Sequence, residues 1–143
     1  MVCASPDYFK RFGRPVNEAD LKDHRLIGMR SNPSQRVFAW EFADAASPQP
    51  RRVEISPTCI MNDPESAARA ASLGMGLAQV GSYVVLPLVA NGQLEIVFPA
   101  AAVQSRGLYA VYPSKRFAPK KLTAFVDHLV EALSDRADLI YAK

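Results

Sequence analysis

Three short stretches carry the side chains of this sequence that could do chemistry: Arg30-Ser31-Asn32, Met61-Asn62-Asp63 and Gly81-Ser82. Each follows an apolar run of strand character, so each stands where a strand would hand over to a turn. The chemistry on offer is recognition of a polar or anionic group. Arg30 can grip a carboxylate with two parallel N–H bonds. Asn62 and Asp63 precede Pro64, and a helix starting there presents free backbone N–H groups and the positive end of its dipole. Ser82 adds a hydroxyl donor and Met61 an apolar wall. Each also has a plain structural duty: Asn62, Asp63 or Ser82 can cap a helix, and Arg30 can simply face solvent.

Catalytic and metal chemistry find no comparable support. His24 and His128 stand apart, no HExxH exists, and acidic residues such as Asp44 and Glu54 are scattered. His128 falls beside the apolar stripe of the last helix, where a structural role is expected. Gly74-Met75-Gly76 ends a helix and enters a strand, the reverse of a dinucleotide-binding turn. Gly81-Ser82-Tyr83 lacks the second glycine of a nucleophile elbow. No catalytic residue, cofactor or metal is assigned. Cys3 and Cys59 are expected to be small buried hydrophobes.

The elements that must position these loops are legible from spacing. Ser5-Pro6 opens a helix that carries Tyr8, Phe9 and Phe12 and stops at Gly13; Asn17 with Asp20 caps a second short turn. Strands are expected at Arg25–Met29, Val37–Phe42 (with the lone Trp40), Val53–Met61, Met75–Val80, Leu94–Phe98 and Gly107–Tyr112. Ala45–Pro50 and Pro99–Arg106 read as loops, and Pro57 marks an edge or bulge. Pro64–Leu73 reads as an alanine-rich helix ended by Gly74, with Asn62 or Asp63 as its cap; capping by Asn62 would put Glu65 in a capping box. Pro87 argues against one continuous helix over Ser82–Ala90: a first turn is expected at 82–86 and a second short helix from Pro87 to near Gly92. Pro119 opens a last helix whose Leu122, Phe125, Val126, Leu129, Val130 and Leu133 form one apolar stripe. Strands alternating with helices indicate an α/β layered fold.

The totals set the frame. The 143 residues suit about one domain, 49% hydrophobic and 22% charged, with net charge +3. The basic residues are dispersed and none rides an evident recognition helix, so no nucleic-acid reader is expected in the chain. No apolar run approaches the ~20 residues of a membrane span. The start, MVCASPDYFKRFG, has no basic leader before an apolar core, so a cytoplasmic setting is expected.

The series SPDYFKRFGRP (5–15), EADLKDH (18–24), VFAWEF (37–42), NDPESAARAASLGMGLA (62–78), NGQLEIVFP (91–99) and GLYAVYPSKRFAPKKLTAFVDHLVEAL (107–133), in that order, resembles the effector-binding domain of LysR-type transcriptional regulators. The resemblance covers essentially the whole chain. It implies a type 2 periplasmic-binding-protein-like α/β lobe, three-layered around a mixed sheet. Residues 1–106 would form the second lobe (regulatory subdomain II). Residues 107–143 would be a return strand and C-terminal helix belonging to the first lobe. It further implies a small polar or anionic effector held by loops that include Arg30, Ser31, Asn32, Met61, Asn62, Asp63, Gly81 and Ser82. A homodimer or higher oligomer is implied, with promoter DNA bound only through a helix-turn-helix domain that these residues do not contain. Gly81 departs from the family pattern, which usually has proline there. The competing functions are a solute-binding or transport component with the same lobe and a small α/β enzyme.

Overall fold

The computed structural model describes residues 1–30, 34–103, 111 and 119–134. The chain divides into two units, Met1–Val103 and Gln104–Lys143. In the first, β1 (Val2–Ala4) leads into α1 (Pro6–Phe12). Ser5 caps that helix by accepting the Tyr8 N–H, and Gly13 ends it at a positive φ of 79° that favours glycine. A 3-10 turn, Glu18–Asp23, starts on a capping box: Asn17 accepts from Ala19 while Asp20 accepts from the Asn17 and Val16 N–H groups. Then follow β2 (Leu26–Met29), β3 (Trp40–Asp44), β4 (Ser47–Val53), β5 (Cys59–Met61), α2 (Pro64–Ser72), β6 (Leu77–Gln79), α3 (Ser82–Ala90) and β7 (Glu95–Val97).

The main sheet has the order β5-β2-β6-β1-β7. β5, β2 and β6 run parallel, and β1 is antiparallel to both β6 and β7. The mixed sheet follows from the connections. α2 and the long excursion through β3 and β4 provide the crossovers that parallel strands need, while β1 enters from the opposite end. Side-chain alternation then divides the core. Val2, Ala4, Leu26, Leu77 and Val97 face Tyr8, Phe9 and Leu21, together with Trp40 and Phe42 of the β3–β4 ribbon. Cys3, Ile27 and Ala78 face the alanines of α2 and Val85 of α3. The result is three layers: α1, the 3-10 turn and the ribbon; the sheet; and α2 with α3. The small Ala67, Ala68, Ala70 and Ala71, all buried, let α2 lie close on the sheet.

Several expectations give way here. Ala45–Pro50 does not form a loop throughout, since β4 starts at Ser47. Asp44 accepts the Ala46 N–H at 2.9 Å and closes a tight turn, and the ribbon pairs Phe42 with Arg51 and Trp40 with Val53. Pro48 and Pro50 are tolerated because a two-stranded ribbon leaves every second N–H unpaired. Val53–Met61 is two strands, not one. The break contains Pro57, which packs on Gly28 so tightly that a Cβ there would sit 2.9 Å from the proline ring. Val37 lies outside β3 and forms an isolated bridge with Arg30. Ser82–Ala90 is one helix despite Pro87. The hydrogen bond that proline forfeits would have gone to the carbonyl of exposed Tyr83, where water can take its place. Cys3 is buried as expected, but Cys59 is only half-buried.

In the second unit, α4 (Lys120–Ser134) carries the anticipated stripe. Leu122, Val126, Leu129 and Leu133 are half-buried, whereas Phe125 and Val130 are exposed. His128 is exposed too, so it is not the packed structural residue its position suggested. The strand expected at Gly107–Tyr112 lies, apart from Val111, outside the described residues. No helix among the described residues is long and apolar enough to cross a membrane.

Candidate functional site

Because β5, β2 and β6 are parallel neighbours, their carboxyl ends open on one edge of the sheet. The sequence after each end is therefore brought to that edge: Asn62-Asp63 after β5, Arg30 after β2, and Val80-Gly81-Ser82 after β6. Neighbouring strands lie roughly 5 Å apart, so side chains from the three turns can reach one ligand. Register fixes the first two. Met29 pairs with Met61, and the Arg30 N–H donates to the Met61 carbonyl at 3.0 Å. Met61 is half-buried against the core layer of α2 and α3.

Arg30 and Asn62 meet directly. The Arg30 Nε and Nη2 donate to Asn62 Oδ1 at 3.2 and 3.1 Å. A neutral amide thus aims the guanidinium without cancelling its charge, and a guanidinium has further N–H groups to offer. Asp63, in contrast, is the helix cap: its Oδ1 accepts the Ser66 N–H at 2.7 Å. That bond, helped by the Ser66 hydroxyl and the Glu65 N–H, holds the Asp63 carboxyl below its ordinary value. The carboxylate therefore already occupies the positive end of α2. The choice of cap left open by the sequence falls to Asp63, which frees Asn62 for Arg30.

The third turn is different. Gly81, not Ser82, holds the cap position of α3, and no side chain caps that helix. The Val84 and Val85 N–H groups bond back to the Gly81 carbonyl, leaving Ser82 as the first helical residue. The uncapped dipole end faces the same edge as Arg30. Tyr83 folds over Gly81, where a Cβ would lie 2.6 Å from its ring. Tyr83 was missed from sequence, although an aromatic two residues beyond an unusual glycine was a usable signal. Gln79 was missed as well. Its amide accepts from the Glu41 N–H and donates to the Glu41 carbonyl, both at 2.8 Å, and so ties the ribbon to the sheet just before this turn. Nothing in the local sequence marks that role, because Glu41 lies far away along the chain. Ser31 and Asn32 lie outside the described residues. Two surface grooves lie elsewhere, one beside Asn17, Arg51 and Phe98 and one beside Ser5, Arg11 and Leu73. Among the described residues no three His, Cys, Asp or Glu side chains gather as metal ligands.

The family model for the LysR substrate binding domain matches residues 1–134. An HTH-type transcriptional regulator of Xanthomonas campestris pv. campestris (strain 8004) is 31% identical over 144 residues, covering 99% of this chain and 41% of that protein. The HTH-type transcriptional activator AaeR of Escherichia coli K12 is 28% identical over 133 residues, covering 92% of this chain and 41% of AaeR. Among solved structures, the regulatory domain of CrgA, a LysR-type transcriptional regulator from Neisseria meningitidis, superposes with a TM-score of 0.73 at 26% identity. It covers 92% of this chain and 63% of that one. The chain thus spans about two fifths of the length of the curated relatives it matches.

Proposed function

The chain belongs to the LysR substrate-binding domain family, and from that premise we propose that it senses a small polar or anionic effector for a transcriptional regulator. The observation that carries the reading is the arrangement at the strand ends. An arginine aimed by a neutral amide stands beside an uncapped helix N-terminus, on the edge shared by three parallel strands. Arg30 supplies charge, Asn62 orients it, Met61 lines the floor, and Gly81-Ser82 offers backbone and hydroxyl donors. Asp63 supports the site by building α2, and Ser31 and Asn32, next in sequence after Arg30, are assigned to the effector by the same reading.

No bond of the effector is made or broken in this scheme. The domain acts by population shift: the effector favours whichever arrangement of lobes and subunits it binds more tightly. Residues 1–106 make the second lobe, and 107–143 return to a first lobe that the full-length regulator supplies. Promoter DNA is bound by a separate helix-turn-helix domain of that regulator, in the cytoplasm, as a homodimer or larger assembly. The relatives are transcriptional regulators, which favours this reading over a solute carrier or an enzyme.

The test is thermal unfolding of the full-length regulator against a panel of small carboxylates, aromatics and amino acids. A true effector at a hundred times its Kd stabilises by about 2.7 kcal/mol. Arg30→Ala and Asn62→Ala should each erase most of that shift while leaving the unliganded melting temperature nearly unchanged. A full shift in both variants would place the effector elsewhere.

A further inference from the structure

The opposite edge of the sheet, at the amino ends of β2 and β6, carries a second surface that effector sensing does not use. Phe12, Leu73 and Met75 are large apolar residues exposed by 41%, 66% and 44%. Two arginines connect them. The Arg11 and Arg25 guanidinium carbons lie 5.0 and 5.3 Å from the centre of the Phe12 ring. The Arg25 carbonyl presses on Gly76, where a Cβ would be 2.5 Å away, so Arg25 adjoins the Met75-Gly76 turn. Arg11 and Leu73 in turn line one groove of about 460 Å3. This edge thus carries three exposed apolar side chains and two exposed guanidinium groups, with the exposed Lys10–Asp7 ion pair in the same groove as Arg11 and Leu73.

Local structure does not account for it. The end of α1 can use Arg11 to complement its dipole, but that explains neither Arg25 nor three exposed apolar side chains. Neither guanidinium has a described carboxylate partner, whereas Arg14, Arg51 and Arg52 each have one in Glu95, Glu18 and Glu41. An apolar patch bordered by unpaired arginines matches the anatomy of a protein interface. It suits nucleic acid poorly, since phosphates gain nothing from Leu73 and Met75.

We propose that this face docks an acidic protein segment, with apolar side chains seated on Phe12, Leu73 and Met75 and carboxylates taken by Arg11 and Arg25. Arginine suits the task because its fork matches a carboxylate in two-pronged fashion while its plane still stacks on Phe12.

The test is fluorescence anisotropy of the full chain with a labelled peptide of repeating Asp-Phe-Glu-Leu. Three comparison probes are the same peptide with serine for each acid, a polyglutamate of equal length, and a short DNA duplex. The expected result is binding of the acidic apolar peptide alone. Arg11→Glu with Arg25→Glu should weaken it roughly tenfold or more, and most of the binding should be lost at about 0.3 M salt. Leu73→Ser with Met75→Ser, which leaves every charge in place, should weaken it to a similar degree. Equal binding of polyglutamate, or no effect of the serine variant, would reduce the face to a cationic patch and overturn the proposal. So would a failure of the acidic apolar peptide to bind. Tighter binding of the duplex, lost in the arginine variant, would overturn it in favour of nucleic acid.

Discussion

Asp63 has a duty that can be measured without any ligand. Its carboxyl is held below the ordinary value of 3.8 chiefly by the Ser66 N–H, so the folded state prefers the carboxylate. A depressed folded value contributes stability that is fully present above the unfolded value and is lost as pH falls through the folded one. Asp63→Asn keeps an acceptor at the cap and removes the charge. Wild type should therefore melt above Asp63→Asn near neutral pH, and the gap should close below pH 3.8, as followed by circular dichroism. Asp63→Ala should melt lower than both, because it leaves the first turn of α2 uncapped. The sequence offered Asn62 and Asp63 as equal candidates for this cap. One position along the chain does not distinguish two good capping residues; the geometry of Arg30 across the strand does.

At the scale of elements, the β3–β4 ribbon is held to the sheet by packing of Trp40 and Phe42 and by the paired bonds from Gln79 to Glu41. Gln79→Ala would leave a partly buried N–H and carbonyl without partners, a loss of about 1–3 kcal/mol. The urea midpoint should fall accordingly, and amide exchange should speed up most in Trp40–Val53; uniform acceleration over the whole chain would argue against a local clasp. Helix α3 offers the opposite sign. Pro87 forfeits a bond to Tyr83, so Pro87→Ala should stabilise by about 1–2 kcal/mol, the ~3 kcal/mol of helix propensity regained less the ~1 kcal/mol of extra unfolded-state entropy. Thermal melts of the two variants in parallel should move in opposite directions. Ser5, Asn17 and Gly13 made α1 and the 3-10 turn legible in advance, since caps are local chemistry. β4 was illegible for the complementary reason: SPQPRRV is a poor strand by propensity and extends only because β3 lies alongside it.

For the whole molecule, α4 states the clearest expectation. Its stripe leaves Phe125 58% and Val130 64% exposed. We expect the chain to self-associate, so light scattering coupled to size-exclusion chromatography should return a dimer or larger species. Phe125→Ser with Val130→Ser should shift it toward monomer. A clean wild-type monomer at high concentration would contradict the proposed assembly.

The sequence by itself determined where α1, α2 and α4 begin, and the family, because each rests on local spacing or on the order of short motifs. It also marked Arg30, Asn62 and Gly81 as strand-end residues. Only the tertiary structure decided that these ends are adjacent, through the β5-β2-β6 order. Only the structure paired Arg30 with Asn62, turned Gln79 toward Glu41, and gathered Arg11, Phe12, Arg25, Leu73 and Met75 on the far edge. The reason is physical. Helix starts are set by residues within a turn of one another, whereas these pairings join segments brought together by strand order and register, and no local pattern records them.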